Sequence, residues 1–371
     1  MGFARRTPGI CIGCLGAGPR IPGPMVTPDI GYIGLDRVAR ASAQEVDSAL
    51  VLLSDAEAII FDLRGNPGGY LDESLMLSDL FLETGQRLAR LESRTPRANQ
   101  GSTDEVWDAQ RASRIPDKPI IVLVDRFSAS AAEIVAGALQ DHDRAVVLGE
   151  RTFGKGIVQS VIRLSEARHL RLTTGEWFTP LGRSLHRPRD QQGRPLPEDA
   201  TTFPTVVTQG GRELSAGGGI FPDLEVKNDT LKTVERVFLS QAARDSVQLA
   251  LRIEEFAFDL ATELDRHNAE PLLDEVAFEQ FVDGIADEGG DLKTQISDPS
   301  VRGYLRWRVL VRMTDRMGRL GESLTIRAER DPGLAEAIRL LGEVDTQPEL
   351  FGVVDKRAVE DATSTTGGGG R

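Results

Sequence analysis

Two serines stand where a predicted buried strand gives way to a predicted helix. The strand, residues 120–124, is followed by Asp125-Arg126-Phe127 and then by Ser128-Ala129-Ser130. A hydroxyl at this junction lies at the positive end of the helix and beside N–H groups without intrahelical partners, so it can act as a nucleophile that faces an anion. Serine is also a favoured N-cap residue, and the local pattern alone favours that structural role.

Lys155 is the second candidate for chemistry, because it is flanked by Gly154 and Gly156. The run from Gly149 nearly matches the phosphate-binding pattern G-x-x-x-x-G-K-[ST], but Gly156 replaces the hydroxyl residue and residues 157–161 predict a strand where a helix is required. Nucleotide binding is therefore disfavoured. We interpret the lysine as an amine held close to backbone in a confined site, where burial favours the neutral, proton-accepting form. A solvated loop lysine is the alternative.

A third candidate is the turn Asn66-Pro67-Gly68-Gly69, which follows another predicted strand. Consecutive glycines allow close approach of the chain and expose N–H groups of the kind that an oxyanion site needs, although ordinary turns use the same residues. The four histidines, His142, His169, His186 and His267, lie in no G-x-S-x-G context. A serine with a lysine base is thus better supported than a Ser-His-Asp site.

Alternating strands and helices must position these residues. Apolar runs predict strands at 30–35, 58–63, 120–124 and 145–148, and a further strand at 157–161. A capping box of Ser42 and Glu45 predicts a helix whose buried face holds Val46, Ala49, Leu50 and Leu53. Helices are also predicted through residues 75–81 and 130–139, whereas residues 95–118 predict an irregular loop. This alternation indicates an α/β layer with chemistry at the strand ends.

From residue 228 onward the pattern becomes helical, with a helix start at Asp331-Pro332. We therefore predict an irregular lead-in at 1–28, an α/β core at 29–227, a mainly helical domain at 228–365 and a flexible glycine-rich tail at 366–371. Cys11 and Cys14 are the only cysteines, which excludes a fold built on disulfides. No second ligand pair accompanies them to complete a zinc site.

The amino-acid composition argues against several classes of binding partner. The 371 residues include 40% hydrophobic and 27% charged positions, and the formal net charge is −13. This balance disfavours nucleic acid and anionic lipid as partners. No run of about 18 apolar residues is present that would predict a membrane-spanning helix.

Five segments together resemble the C-terminal processing (tail-specific) serine proteases of peptidase family S41. They are D-L-R-G-N-P-G-G at 62–69, D-R-F-S-A-S-A-A-E-I at 125–134, T-F-G-K-G-I-V-Q at 152–159, F-T-P-L-G-R at 178–183 and G-I-F-P-D at 219–223. The resemblance implies an α/β core of the ClpP/crotonase-like type. It further implies that Ser130 is the nucleophile, Lys155 the general base and Gln159 the partner that orients the lysine, with backbone N–H groups of Gly69 and Ala131 as the oxyanion hole.

The residues agree with this assignment in two respects. The N–H of Ala131 follows the nucleophile at a helix start and lacks an intrahelical acceptor. Strand alternation would put residues 155, 157 and 159 on one face, so that Gln159 can accept a hydrogen bond from Lys155.

We therefore expect a serine endopeptidase that cleaves near C-terminal tails and needs no cofactor or metal. Its expected partners are unstructured protein tails that add as an extended strand, with no nucleic acid or nucleotide and with a homo-oligomer as a possible assembly. The resemblance implies a periplasmic or cell-envelope location, although neither an export signal nor a PDZ module is visible in the sequence. The stretch 187–218 is longer than the family pattern suggests and is expected to form a surface loop near the substrate groove. The alternative is a protease-like adaptor without catalytic activity.

Overall fold

The computed structural model describes residues 25–93, 103–165, 168–199, 202–227, 231–267, 269–288 and 292–366. The sequence-based predictions for residues 1–24 and 367–371, including Cys11 and Cys14, lie outside these ranges. In chain order the elements are β1 (Ile30–Gly34), α1 (Ser42–Leu52), β2 (Ala58–Asp62), α2 (Leu71–Asp79), β3 (Arg87–Ser93), β4 (Thr103–Asp108), β5 (Ile120–Val124), α3 (Ala131–Asp141), β6 (Val146–Gly149), β7 (Ile157–Arg163), β8 (His169–Phe178), β9 (Thr205–Val207), β10 (Glu213–Ser215), β11 (Leu224–Glu225), α4 (Thr233–Arg244), α5 (Leu249–Arg266), α6 (Glu275–Glu288), α7 (Leu292–Ile296), α8 (Pro299–Arg316), α9 (Leu320–Ala328), α10 (Pro332–Leu341) and α11 (Gln347–Thr366).

A parallel sheet of order β1-β2-β5-β6-β11 carries the loops that were predicted to do chemistry. Its neighbouring strands all pair in parallel. Every residue of β2, β5 and β6 is buried, as expected for parallel strands covered on both faces. Because parallel strands end at the same edge, the turn after β2 and the loop after β5 are brought together there. The predicted α/β fold is therefore confirmed. The short edge strand β11, Leu224–Glu225, directly follows the G-I-F-P-D segment at 219–223.

A second, antiparallel sheet has the order β4-β3-β8-β7. The prediction of an irregular loop over 95–118 is wrong in part, because residues 103–108 form β4. That strand has no apolar run to identify it. It is held by its ladder with β3 and by cross-strand ion pairs of Arg90 with Asp104 (3.2 Å) and Arg87 with Asp108 (3.3 Å). Residues 205–215 add a short antiparallel ribbon of β9 and β10.

Helix α1 shows where local pattern reading succeeds and where it fails. The predicted buried face is confirmed for Val46, Ala49, Leu50 and Leu53. The predicted capping box is wrong, because Ser42 is the first helical residue and the N-cap residue is Ala41. The free N–H groups are satisfied instead from α2, where the Glu73 carboxylate accepts from the N–H groups of Ala41 (2.7 Å) and Ala43 (3.1 Å). A tertiary contact has replaced the local cap.

The chain divides into two compact units, of which one comprises residues 29–227 with those from Glu336 onward and the other comprises residues 24–28 with 228–335. The second unit has its own apolar core, which includes Phe238, Phe278 and Leu305. The residues from Glu336 onward, which include the later part of α10 and all of α11, group with the sheets. In the described ranges no helix has the length and apolarity needed to cross a membrane.

Candidate active site

Ser130 is the N-cap residue of α3 and lies directly after the loop that leaves β5. Its backbone has φ 57° and ψ −117°, a region that residues with a side chain rarely adopt. Such strain is characteristic of functional sites, where the surrounding structure enforces it. The neighbouring Ser128 is fully buried and donates to the carbonyl of Leu63 (2.8 Å), so it has a structural role. Of the two candidate serines, the structure therefore leaves Ser130 for chemistry.

The carboxylate of Asp125 shapes the loop before Ser130. Its Oδ1 accepts from the N–H groups of Phe127 (3.0 Å) and Ser128 (3.1 Å), which closes the turn. The same oxygen accepts from the N–H of Gly65 (2.8 Å). One side chain thus ties the serine loop to the glycine-rich turn after β2.

The buried carboxylate of Glu133 joins the serine segment to the lysine segment. Its Oε2 accepts from the backbone N–H groups of Ser130 (2.7 Å) and Lys155 (2.8 Å). Its Oε1 accepts from the N–H of Gly154 (2.6 Å) and from the hydroxyl of Thr152 (2.5 Å). Burial raises the pKa of Glu133, and these four donors oppose that rise. Sequence reasoning missed this residue, although its position three residues after Ser130 matches the S-x-x-E spacing of a helix start.

Lys155 lies in the segment between β6 and β7, and its side chain is exposed. The expectation of a confined amine is therefore wrong for this conformation. In the described residues no hydrogen bond joins the Lys155 amine to Ser130 or to Gln159. The pairing of β7 with β8 shifts between Val158 and Gln159. Lys155, Ile157 and Gln159 line the same cavity, and Val158 lines it as well.

An open cavity of about 900 Å³ brings the predicted catalytic side chains together. Ser130, Lys155 and Gln159 all contribute to its wall. The remaining lining residues are Leu71, Leu91, Phe153, Gly154, Ile157, Val158, Arg171, Trp177, His186, Arg187, Arg189 and Gly193. The segment 187–193 belongs to the long stretch that was expected to lie near a substrate groove. The structure thus assembles residues from the end of β5, the start of β7 and the segment after β8.

The glycine turn after β2 lies against the serine loop. The Asn66 side chain is buried, donates to the carbonyl of Leu35 (2.8 Å) and accepts from the N–H of Gly68 (2.8 Å). The Asn66 carbonyl accepts from the N–H of Ala129 (2.9 Å). Gly68 has φ +85°, and a Cβ there would lie 2.5 Å from the carbonyl oxygen of Ala129. Only glycine fits this approach.

The proposed oxyanion donors, Gly69 and Ala131, are adjacent to this contact. A Cβ on Gly68 would lie 2.8 Å from the backbone nitrogen of Ala131. Gly69 packs against Val38, and its own N–H is not used in that bridge, which involves the N–H of Tyr70 instead. Across the described parts of the chain, the N–H groups of Gly69 and Ala131 have no recorded acceptor. Both are thus available to a negatively charged oxygen.

A buried ion pair anchors the turn at the end of β2. Arg64 contacts Asp62 at 2.7 Å, and the hydroxyl of Tyr32 donates to the same carboxylate (2.8 Å). Burial acts to raise the pKa of Asp62, but the charge and hydrogen bonds of Arg64 outweigh it and hold that pKa below its ordinary value. The charged pair therefore fixes the start of the glycine turn.

The structure also locates the other sequence motifs and the histidines. In the segment after β8, Arg183 is almost fully buried and contacts Asp141 of α3. The near-match to a phosphate-binding loop is followed by strand β7, as the sequence indicated, so a helix N-terminus is missing from it. His267 is exposed at the end of α5, whereas His142 at the end of α3 is half-buried and its Nε2 lies 2.7 Å from the carbonyl oxygen of Arg87. His186 was given no role, yet it lines the cavity and its Nδ1 is buried without a partner in the described residues.

Comparison with known proteins shows similarity to one peptidase family. The model of peptidase family S41 matches residues 29–192. The carboxy-terminal-processing protease of Bartonella bacilliformis is 37% identical over 196 residues, which are 50% of this chain and 43% of that protein. The carboxy-terminal processing protease CtpA of Bacillus subtilis is 34% identical over 161 residues, 43% of this chain and 33% of that protein. A solved photosystem II D1 C-terminal processing protease is 26% identical, with 55% of this chain and 44% of that chain covered and a TM-score of 0.41. The chain spans less than half the length of these curated relatives.

Proposed function

We propose that the chain is a serine endopeptidase of peptidase family S41, whose model matches residues 29–192, and that it cleaves proteins near their C-terminal tails. The observation that carries the proposal is the shared cavity of Ser130, Lys155 and Gln159. The common attachment of the Ser130 and Lys155 backbones to the Glu133 carboxylate supports it further. An interaction scaffold has no need to hold a strained serine and a lysine in register.

In the proposed first step, the Ser130 hydroxyl attacks the substrate carbonyl carbon while the neutral Lys155 amine takes the hydroxyl proton. The carbonyl oxygen becomes an oxyanion and is stabilised by the N–H groups of Gly69 and Ala131. The tetrahedral intermediate then collapses, the peptide C–N bond breaks, and Lys155 returns its proton to the leaving amine. A water molecule, deprotonated by Lys155, hydrolyses the acyl-enzyme and restores Ser130.

Because Lys155 is exposed without substrate, the proposal requires substrate binding to bury its amine and bring it within hydrogen-bond distance of Ser130. Catalytic hydrogen bonds are often long without substrate and tighten in the complex. A peptide that fills the cavity would remove water from Lys155 and favour its neutral form. Gln159, on the wall of the same cavity, is then the proposed acceptor that orients the amine.

The substrate tail is proposed to bind as an added strand. Strand β7 lies at the end of the order β4-β3-β8-β7 and lines the cavity through Ile157, Val158 and Gln159. An extended peptide on this edge would gain main-chain hydrogen bonds with little dependence on sequence. This mode requires an unstructured segment, which protein tails supply.

The direct test is cleavage of a protein with a disordered tail, followed by mass spectrometry of the products. We expect Ser130→Ala and Lys155→Ala to lose activity by roughly 10⁴-fold or more, while the unfolding transition stays unchanged. Lys227→Ala, at an exposed lysine outside the cavity, is the matched control. Wild-type activity in Lys155→Ala would refute the dyad.

The alternative of a non-catalytic adaptor is favoured by one observation, the lack of a hydrogen bond between Lys155 and Ser130 in this conformation. It predicts that wild type and Ser130→Ala bind a tail peptide equally and that neither cuts it.

A periplasmic or cell-envelope location and a homo-oligomeric state are further proposals that rest on the similarity to family S41. Cell fractionation and analytical ultracentrifugation test them.

A further inference from the structure

The wall of the catalytic cavity has a strongly one-sided charge. It contains Lys155, Arg171, Arg187 and Arg189, and within the described ranges no Asp or Glu contributes to it. The whole chain has a formal net charge of −13, so this accumulation of positive charge runs against its composition. Positive side chains concentrated in one cleft attract negatively charged ligands.

Most of this charge lacks a carboxylate partner. Arg187 pairs with Glu198 (2.8 Å), a residue outside the wall that also pairs with Arg151. In the described part of the chain, no ion pair is recorded for Lys155, Arg171 or Arg189. Burial is the main cause that lowers the pKa of Arg189; the neighbouring charge of Arg187 adds to this effect, and the carboxylates of Glu133 and Glu198 oppose it.

The arginines are fixed next to the catalytic segment. The N–H of Arg187 donates to the carbonyl of Gly154 (3.0 Å), directly before Lys155. The Arg189 guanidinium lies over the Phe153 ring at 3.6 Å and donates to the Phe153 and Gly193 carbonyls. The Nε of Arg189 is buried and has no acceptor among the described residues. A donor of this kind is costly to leave unsatisfied and is readily satisfied by a ligand oxygen.

Arg171 contributes from a different element. It projects from β8 with an exposed side chain, and no hydrogen bond of this side chain is recorded in the described ranges. Its charge is therefore not needed to hold the fold. The wall also contains the apolar residues Leu71, Leu91 and Trp177, which suit the uncharged side chains of a peptide.

We propose that the arginines at 171, 187 and 189 bind a carboxylate of the substrate beside the scissile bond, so that the enzyme selects anionic over cationic tails. Guanidinium groups match carboxylates in geometry and charge. The carboxylate is either the free C-terminal group of the tail or an acidic side chain near the cut. This inference rests on the proposed peptidase function and specifies its substrate class.

Four peptides of otherwise identical neutral sequence separate the two sources. The first ends in a free carboxylate and the second in an amide. The third is the amide with one Glu near the cut, and the fourth is the amide with Lys at that position. We measure kcat/KM with wild type, and the dissociation constant of each uncleaved peptide with Ser130→Ala.

We expect the first or the third peptide, or both, to exceed the second by about tenfold in binding and cleavage, because a charge-assisted hydrogen bond is worth that much or more. Comparison of the first with the third identifies the source. Arg171→Gln should abolish most of the preference, and Arg171→Glu should reverse it in favour of the Lys peptide. Arg111→Gln, at an exposed arginine outside the cavity, is the matched control.

Two failures are distinguishable in this design. Cleavage of all four peptides at equal rates, or equal loss on all four in Arg171→Gln, would overturn the carboxylate site and leave the peptidase intact. Absence of Ser130-dependent cleavage would overturn the peptidase. The binding constants with Ser130→Ala would then still decide whether the cavity prefers a carboxylate.

Discussion

Replacing Glu133 by Gln tests whether one buried carboxylate holds the serine and lysine segments in register. The side chain keeps its size but loses its charge and one acceptor oxygen. Its amide oxygen can retain the N–H groups of Ser130 and Lys155, and the hydroxyl of Thr152 can turn around and accept. The N–H of Gly154 then faces an NH₂ group and loses its acceptor.

The size of the effect follows from this count. One unsatisfied buried donor costs about 1–3 kcal/mol, and conversion of three charge-assisted hydrogen bonds to neutral ones costs about 1 kcal/mol each. Removal of a buried charge recovers part of this sum. We therefore expect Glu133→Gln to lower the free energy of unfolding by about 2–3 kcal/mol.

The same substitution should reduce turnover. Because Gly154 directly precedes the proposed base, its displacement shifts the Lys155 backbone relative to Ser130. Misplacement of a catalytic group by a fraction of an ångström to 1 Å lowers kcat by about tenfold to a hundredfold. The fold should survive, so kcat can be measured on folded protein well below the melting temperature.

Urea denaturation gives the stability change, and cleavage of a tail peptide gives kcat. Glu57→Gln, at an exposed glutamate outside the site, is the matched control and should change neither. If Glu133→Gln unfolds within about 0.5 kcal/mol of wild type, the network around this carboxylate does not stabilise the site as argued. The stability measurement decides this point whether or not the chain is a peptidase.

Three further outcomes are expected. Gly68→Ala should lose at least about 2 kcal/mol of stability and most activity, because its φ is +85° and its Cβ would lie 2.5 Å from a carbonyl oxygen; an unchanged melting curve would contradict this. Asp62→Asn should cost about 3 kcal/mol above pH 4, since it removes the buried carboxylate charge that pairs with Arg64 at 2.7 Å. The depressed pKa of Asp62 makes that wild-type advantage shrink as the pH falls below 3.8, and a difference that grows in acid would refute it. Arg183→Met should cost about 3–5 kcal/mol by leaving Asp141 unpaired, as measured by urea denaturation, whereas Arg183→Met combined with Asp141→Leu should recover part of the loss.

The sequence was sufficient to predict those structural elements whose signal lies in a few neighbouring residues. Apolar runs identified β1, β2, β5 and β6 of the parallel sheet, because buried strands need continuous apolar residues. The segments around Ser130 and Lys155 were recognisable because each is a short motif. The serine with φ 57° could be located in this way, but its strain could not be foreseen from residue types.

Features that depend on distant partners were missed. Strand β4 has few apolar side chains and exists through its pairing with β3, so no periodicity revealed it. The cap of α1 comes from Glu73 of another helix rather than from the adjacent Ser42. The cavity arginines lie on β8 and on the segment after it, and they meet Lys155 only because the chain folds back. Lys155 lies on the wall of the same cavity as Ser130, but its exposure was not predicted from the sequence.

The position of β7 at the end of its sheet has a consequence for handling the protein. An unpaired strand edge is a template for any other extended chain, including a second molecule of the same protein. Val161 and Ile162 on β7 and Leu172 on β8 are exposed apolar side chains that would strengthen such pairing. Concentrated, substrate-free samples are thus prone to aggregate through this hairpin, and a charged residue at 161, beyond the cavity wall, should improve solubility without altering the site.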